Sequence, residues 1–286
     1  MKIARVCNNN IAVVLNEKQE EMVVFGKGIC FQKKIGDEIA ADRIEKTFIM
    51  QDQPTISKFE ELLKSMPMVY FDISQEIVEM IGEQSDLELS ESIYMTLMDH
   101  ISLSLEREKR GVIIENPLLM DIKQIYKKEY ELAKNARKII EHHLDIRISD
   151  HEVGFITLHI VNASMNQDFD VTMRAPKLIQ MILEIVRVHF SVHFDETSIQ
   201  YERFLRHLQF FTKRVFDQRE MQETNEFLYD MGRTAYPDAI TCVNKIVLFI
   251  EMNYKIKVTN SEKGFLAYHI VNVIQELKPG EFSGST

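Results

Sequence analysis

The chain has 286 residues, 45% hydrophobic and 27% charged, a balance that excludes a disordered polypeptide and allows two or three domains. Its formal charge is −10, yet residues 1–52 carry eight Lys/Arg against eight Asp/Glu, so the start has no basic field for unspecific capture of nucleic acid. Nowhere do roughly 18 apolar residues run together, which excludes a spanning helix, and three widely spaced cysteines, Cys7, Cys30 and Cys242, fit core thiols of a reduced, cytoplasmic protein.

Ile3 to Cys7, Ile11 to Leu15, Met22 to Phe25 and Ile44 to Met50 are short β-rich runs, broken by turn chemistry at Asn8-Asn9-Asn10, Asn16 to Gln19 and Gly26-Lys27-Gly28. They predict a small antiparallel meander. A sheet of about 50 residues buries too little surface to be robust alone, so it is expected to pair with a second copy of itself. Its asparagines and glycines offer amide groups and close backbone approach. Phe31-Gln32-Lys33-Lys34 adds a ring for base stacking beside an amide and two ammonium groups, as a nucleic-acid surface requires. On spacing alone the same residues also read as ordinary turns, a core ring and a solvated strand end.

Gln51 to Ser57 breaks the strand pattern, with Pro54 unable to donate to a ladder, and Ser57-x-x-Glu60 opens a helix carrying Phe59, Leu62 and Leu63. Ile73 to Ile81, Ser92 to Leu105, Pro117 to Leu144 and Glu152 to Ala163 have helical apolar spacing and predict an α-bundle. A polar stretch, Asn166 to Thr172, leads to Pro176, placed in the first turn of a second bundle that ends near Lys278. The fold class is α+β and multidomain: a small antiparallel β-sheet domain with its linker (1–56), then two homologous all-α bundles (57–170 and 171–280). The closing Gly280 to Thr286 is small and polar and has no assigned role.

The two bundles are copies. Glu152-Val-Gly-Phe-Ile-Thr-Leu-His-Ile-Val-Asn162 returns 110 residues later as Glu262-Lys-Gly-Phe-Leu-Ala-Tyr-His-Ile-Val-Asn272, with seven of eleven positions identical. Each copy opens with a capping-box pattern, Ser149-x-x-Glu152 and Thr259-x-x-Glu262, in which hydroxyl and glutamate are expected to satisfy free amides at a helix start. His159 lies beside the apolar stripe of Ile156, Ile160 and Ala163, as His269 lies beside Leu266, Ile270 and Val273. His100, just off the stripe of Ile93, Leu97 and Ile101, corresponds to His207 once a three-residue gap is allowed. Each module therefore holds two matched histidines.

Three readings compete for these four imidazoles. They are core side chains, metal ligands or phosphate acceptors. His142-His143, His151 and the pair His189 and His193 suggest metal, but Phe155 stands where a zinc-binding HExxH helix needs its second histidine, and no metal ligand is assigned. Phosphorylation needs an accessible ring, a neighbour that fixes its tautomer and an interface that feels a new charge of about −1.5 to −2. Asp99 is the expected neighbour of His100, whereas Arg206 beside His207 is placed to pair with a phosphate. No phosphate loop or nucleophile elbow occurs, so no catalytic residue, cofactor or enzymatic activity is expected.

Met1-Lys-Ile-Ala-Arg-Val-Cys-Asn-Asn-Asn10, Gly26-Lys-Gly-Ile-Cys-Phe-Gln-Lys-Lys-Ile-Gly36 and Arg43-Ile-Glu-Lys-Thr-Phe48 resemble the RNA-binding domain of the BglG-type transcriptional antiterminators. The duplicated module resembles the phosphotransferase-system regulation domains of the same family, and the likeness runs to about residue 278. It implies a dimer of the N-terminal sheet that binds a leader-mRNA hairpin and blocks terminator formation, with Arg5, Asn10, Gly26, Lys27, Phe31 and Gln32 as RNA contacts. Lys and Arg exchange at positions 5 and 27 in the family, so charge is kept here while bidentate geometry differs. By the same resemblance His100 and His159 are sites through which a sugar permease inhibits, and His207 and His269 sites through which the phosphocarrier HPr activates. A DNA-binding activator with similar modules would need a winged helix-turn-helix ahead of them, where this chain has strand periodicity.

Overall fold

The computed structural model describes residues 1–16, 21–48, 59–63, 66–112, 114–166, 169–217 and 226–278. The linker from Gln51 to Ser57 with Pro54, the end of the fourth predicted strand, most of the Asn16 to Gln19 turn and the C-terminal tail lie outside them. The chain forms two compact units, Met1–Pro117 with Lys128–Asn166 and Leu118–Lys127 with Gln167–Thr286.

The predicted meander is present. β1 (Lys2–Val6), β2 (Ile11–Leu15), β3 (Glu21–Phe25) and β4 (Lys46–Phe48) pair antiparallel in sequence order. Side-chain alternation divides the sheet into two faces. Ile3, Ala12, Val14, Met22 and Val24 join Ile29, Cys30 and Ile39 in one small core beneath the glycine-rich loop. Phe25 and Phe48 belong to the other face, where Phe25 meets Phe71 at 4.6 Å between ring centroids and Phe48 meets Phe59, Phe71 and Tyr94 at 5.3, 6.0 and 5.1 Å. Helical module and sheet thus share a core within the first unit.

That module comprises a helical segment at 59–63, α1 (Val69–Gln84), α2 (Ser92–Lys109), and, after α3 (Leu119–Ile125), α4 (Lys127–Leu144) and α5 (Asp150–Met165). Ile93, Leu97 and Ile101 of α2 and Ile156, Ile160 and Ala163 of α5 are buried, as the spacing predicts. The continuous helix expected over Pro117 to Leu144 is instead two. Tyr126 interrupts it at φ −116°, ψ 48°, and α3 belongs to the second unit, where Gln180 Nε2 donates to Gln124 Oε1 at 2.7 Å. Apolar spacing registers the period of both pieces but not a single buried residue that leaves helical geometry between them.

The second unit continues with α6 (Phe169–Phe190), α7 (Ile199–Asp217), α8 (Phe227–Ala235), α9 (Pro237–Tyr254) and α10 (Asn260–Leu277). Pro176 does not start this module: it lies buried inside α6, which begins seven residues earlier. The ring gives up one amide bond, and the helix continues because the buried face of Leu178, Ile179 and Ile182 outweighs that loss. Gly264 of α10 marks the closest approach to α8, since a Cβ there would lie 2.5 Å from the Tyr229 amide nitrogen.

Candidate functional sites

The glycine-rich loop is built around Asn10. The Asn10 carbonyl accepts from the Gly26 amide at 3.0 Å, and its side-chain Oδ1 accepts from the Gly28 amide at 2.8 Å. Asn10 is therefore a positioning residue for the loop. Gly26 has a steric reason to be glycine, because a Cβ would stand 2.2 Å from the Arg43 carbonyl oxygen. The Cys30 amide bonds to the Asn9 carbonyl, and the loop then projects Phe31, which is 63% exposed, beside exposed Lys27 and Gln32. Gln32 has φ +58°, a left-handed conformation that turns the chain at the tip. A large exposed ring near amide and ammonium groups has the chemistry to stack against an unpaired base.

Arg5 stands apart from this group. It pairs with Val13 on the sheet face opposite the small core. Its guanidinium binds Glu21 through two bonds of 2.7 and 2.6 Å, and Glu60 of the first helical module through Nε at 3.0 Å. Those carboxylates hold the Arg5 pKa above its ordinary value, hydrogen bonding to Glu21 contributing most. Lys27 is near the first module as well: burial raises the Asp72 pKa, while the charges of His143 and Lys27 lower it.

In the first module α2 and α5 bring His100 and His159 together, ring centroids 4.9 Å apart at 51°. His100 and Arg107 are seven residues apart on α2, as are Glu152 and His159 on α5, and two helical turns put each couple on one face. Arg107 Nη2 donates to both Glu152 oxygens at 3.0 and 3.2 Å. His100 Nε2 lies 3.1 Å from Glu152 Oε2, within ion-pair reach but out of line for a hydrogen bond. Burial raises the Glu152 carboxyl, yet His100 and Arg107 outweigh it and hold the group at about 2. His159 is more enclosed than its place beside the stripe implied. Burial, with the neighbouring His100, pushes its pKa down to about 3 against the pull of Glu152.

Asp99 does not have the role expected of it. It is exposed and lines an open cavity of about 320 Å³ with Glu61, Leu62, Met95 and Thr96, because consecutive residues of a helix point in different directions. Glu152, from the other helix, is the carboxylate at His100.

The second module repeats the arrangement with closer rings. His207 of α7 and His269 of α10 stack at 3.6 Å and 23°, with Phe265 against both. Arg214 Nε and Nη2 bind Glu262 at 2.6 and 3.0 Å. Burial, then Arg214, Arg203 and Arg206, lowers His207; burial, then His207 and Arg214, lowers His269 to about 4. Three of the other five histidines have separate partners: His143 with Glu76, His151 with the Asn116 amide, His189 with Lys245.

These depressed imidazoles make stability pH-dependent in a definite direction. Neutral in the folded chain, they take up protons on unfolding below about pH 6.5, so acid favours the unfolded state. Stability is expected to fall as pH drops from 6.5 toward 4 for His269 and toward 3 for His159, and Glu152 extends the loss from 4.5 toward 2. The urea midpoint at several pH values measures this, and His159→Asn with His269→Asn should flatten the curve above pH 4.5.

Compared with known protein families, residues 1–57 match the CAT RNA binding domain, and residues 75–163 and 180–273 each match the PRD domain. The chain belongs to the BglG-type transcriptional antiterminators. It is 38% identical to the transcription antiterminator LicT of Bacillus subtilis (strain 168), over 96% of this chain and all of that one. The beta-glucoside operon antiterminator of Dickeya chrysanthemi is 34% identical, covering 97% and 98% of the two chains. The crystal structure of GlcT CAT-PRDI superposes with a TM-score of 0.52 at 33% identity, covering 58% of this chain and 98% of that one. The antiterminator fold, an antiparallel RNA-binding sheet followed by duplicated helical regulation domains, is therefore that expected from the repeat and the turn motifs. No helix among the described residues is long and apolar enough to cross a membrane. The two arginines beside the paired histidines, Arg107 and Arg214, were missed by motif reading. Their signal is present: they are 107 residues apart, the same gapped offset that relates His100 to His207.

Proposed function

We propose that this antiterminator works as a homodimer whose paired sheets clasp a leader-mRNA hairpin of a sugar-utilisation operon. Phosphate on His100 and His159, delivered through the sugar permease, opposes the clasp. Phosphate on His207 and His269, delivered by HPr, favours it. The observation that carries this reading is the pair of facing histidines in each module, since two rings in contact beside an arginine–glutamate pair form a site that can take and hold a phosphoryl group. Domain limits of 1–56, 57–170 and 171–280 divide the work, with RNA recognition on the first and one sense of control on each of the others.

The modules differ in the direction this scheme requires. Both sites hold an arginine–glutamate pair, but Glu152 lies 3.1 Å from the His100 ring, whereas His207 has two further arginines, Arg203 and Arg206, near it. New negative charge must displace a carboxylate at the first and meets an excess of positive charge at the second. Recognition of RNA is assigned to Phe31, Gln32 and Lys27 as direct contacts, with Asn10 and Gly26 shaping their loop. Arg5 must exchange Glu60 for a phosphate before it contributes. Glu60→Gln is therefore expected to tighten hairpin binding by about threefold, the scale of one partly exposed ion pair, in fluorescence anisotropy titrations.

His100→Ala with His159→Ala tests the inhibitory half. A reporter behind the terminator should then be expressed without the sugar, whereas normal sugar dependence in the double variant contradicts the assignment. Binding of the hairpin and not of duplex DNA separates this function from that of a DNA-binding activator.

A further inference from the structure

Each module spends a glutamate in an unexpected way. Ser149 Oγ and Thr259 Oγ1 accept from the amides of Glu152 and Glu262, both at 3.3 Å, which is one half of a capping box. In the other half the glutamate side chain reaches back to the amide of the capping residue. Here both carboxylates point instead to an arginine of the neighbouring helix, Glu152 to Arg107 and Glu262 to Arg214. The same substitution of partners occurs twice, at two buried glutamates whose helix starts are otherwise capped as the sequence predicts.

We propose that Arg107 and Arg214 bind the phosphoryl group carried by a histidine of their module, releasing Glu152 and Glu262, and that each released glutamate swings back to complete the capping box of its own helix. The proposal rests on the histidine-phosphorylation reading above. Transfer needs no redox partner: the lone pair of a neutral histidine nitrogen attacks the phosphorus of a protein phosphohistidine, the donor N–P bond breaks, the donor imidazole leaves with that electron pair and takes up a proton, and the acceptor ring gives up the proton of its other nitrogen to solvent. The phosphorylated ring carries a multiply charged oxyanion against Arg107 or Arg214, and a guanidinium binds such an oxyanion through a bidentate fork. Carboxylate and phosphate cannot share that fork, because two like charges would then lie in contact in a poorly solvated site. A glutamate left there without its arginine is itself costly, and the positive end of its helix is the nearest place for it. In the first module the displaced oxygen is already within 3.1 Å of His100 Nε2, so a phosphoryl group on that nitrogen and Glu152 in its present place exclude one another. In the second module Arg214 lies over the Phe265 ring, 4.9 Å from its centre, and that ring contacts both His207 and His269.

The test uses the full chain phosphorylated by phospho-HPr, with the site mapped by acid-sparing mass spectrometry and the phosphohistidine lifetime followed by phosphorus NMR. If Arg214 exchanges partners, the two halves of one ion pair act in opposite directions. Glu262→Gln frees the arginine and should lengthen the lifetime at His207 or His269 by several-fold. Arg214→Gln should shorten it by about tenfold, the loss of one charge-assisted contact, and Arg214→Lys should restore part of it. Should Arg214→Gln fail to fold, the double variant Arg214→Gln/Glu262→Gln removes both charges and gives the same short lifetime. Equal lifetimes in all phosphorylated variants, or losses of the same sign from both single variants, would show that the pair is structural and overturn the proposal. A wild-type chain that takes no phosphate at either histidine overturns the phosphorylation reading as well.

Discussion

Phe48→Ala is expected to lower the stability of the first unit by about 3–5 kcal/mol, the cost of removing a fully buried aromatic ring and leaving a cavity. Phe48 has no exposed surface and joins the sheet to three elements of the helical module through Phe59, Phe71 and Tyr94. Lys46, two residues earlier, has its ammonium 4.2 Å from the Tyr94 ring centre, and burial lowers its pKa. The same substitution therefore weakens the hold of module on sheet. Urea unfolding measures the loss, and an unchanged midpoint would mean that the shared aromatic core contributes nothing in solution.

Phe31→Ala is expected to weaken hairpin binding by roughly 10- to 100-fold, from the ~1–3 kcal/mol that base stacking on an aromatic ring supplies. At 63% exposure, Phe31 has little folded-state packing to lose, so the unfolding midpoint should hardly move. Phe31→Tyr, which keeps the stacking face, should retain most of the affinity. Anisotropy titration against the hairpin separates the cases. Equal affinity for all three proteins would remove Phe31 from the RNA surface and favour the reading of the loop as an ordinary turn.

The parts of this protein that could be read from its sequence are those where one local pattern has one meaning. Alternation placed all four strands, and the Ser149 and Thr259 caps placed the starts of α5 and α10, because each depends on residues a few positions apart. Long-range pairing was legible only through duplication. That His100 and His207 correspond followed from the repeat, but that each faces His159 or His269 depends on how α2 crosses α5 and α7 crosses α10, which no local period encodes. Asp99 was the carboxylate nearest His100 in sequence; Glu152 is the one nearest in space. Pro176 and Tyr126 went astray for a related reason: a proline can sit inside a helix whose buried face is strong, and a helix can break at a buried residue with no breaker chemistry. Arg5 shows the opposite limit. Its charge and position resemble those of an RNA contact, yet its partners in the folded chain are Glu21 and Glu60.

The central claim is that phosphate on these histidines sets the affinity for RNA. Its most direct measurement is hairpin binding by one sample of the full chain before and after phosphorylation by HPr, with the modified residues mapped in that sample. The account predicts phosphate on His207 or His269 together with tighter binding. Tight binding that is the same with and without mapped phosphate, or phosphate confined to other residues, would contradict it.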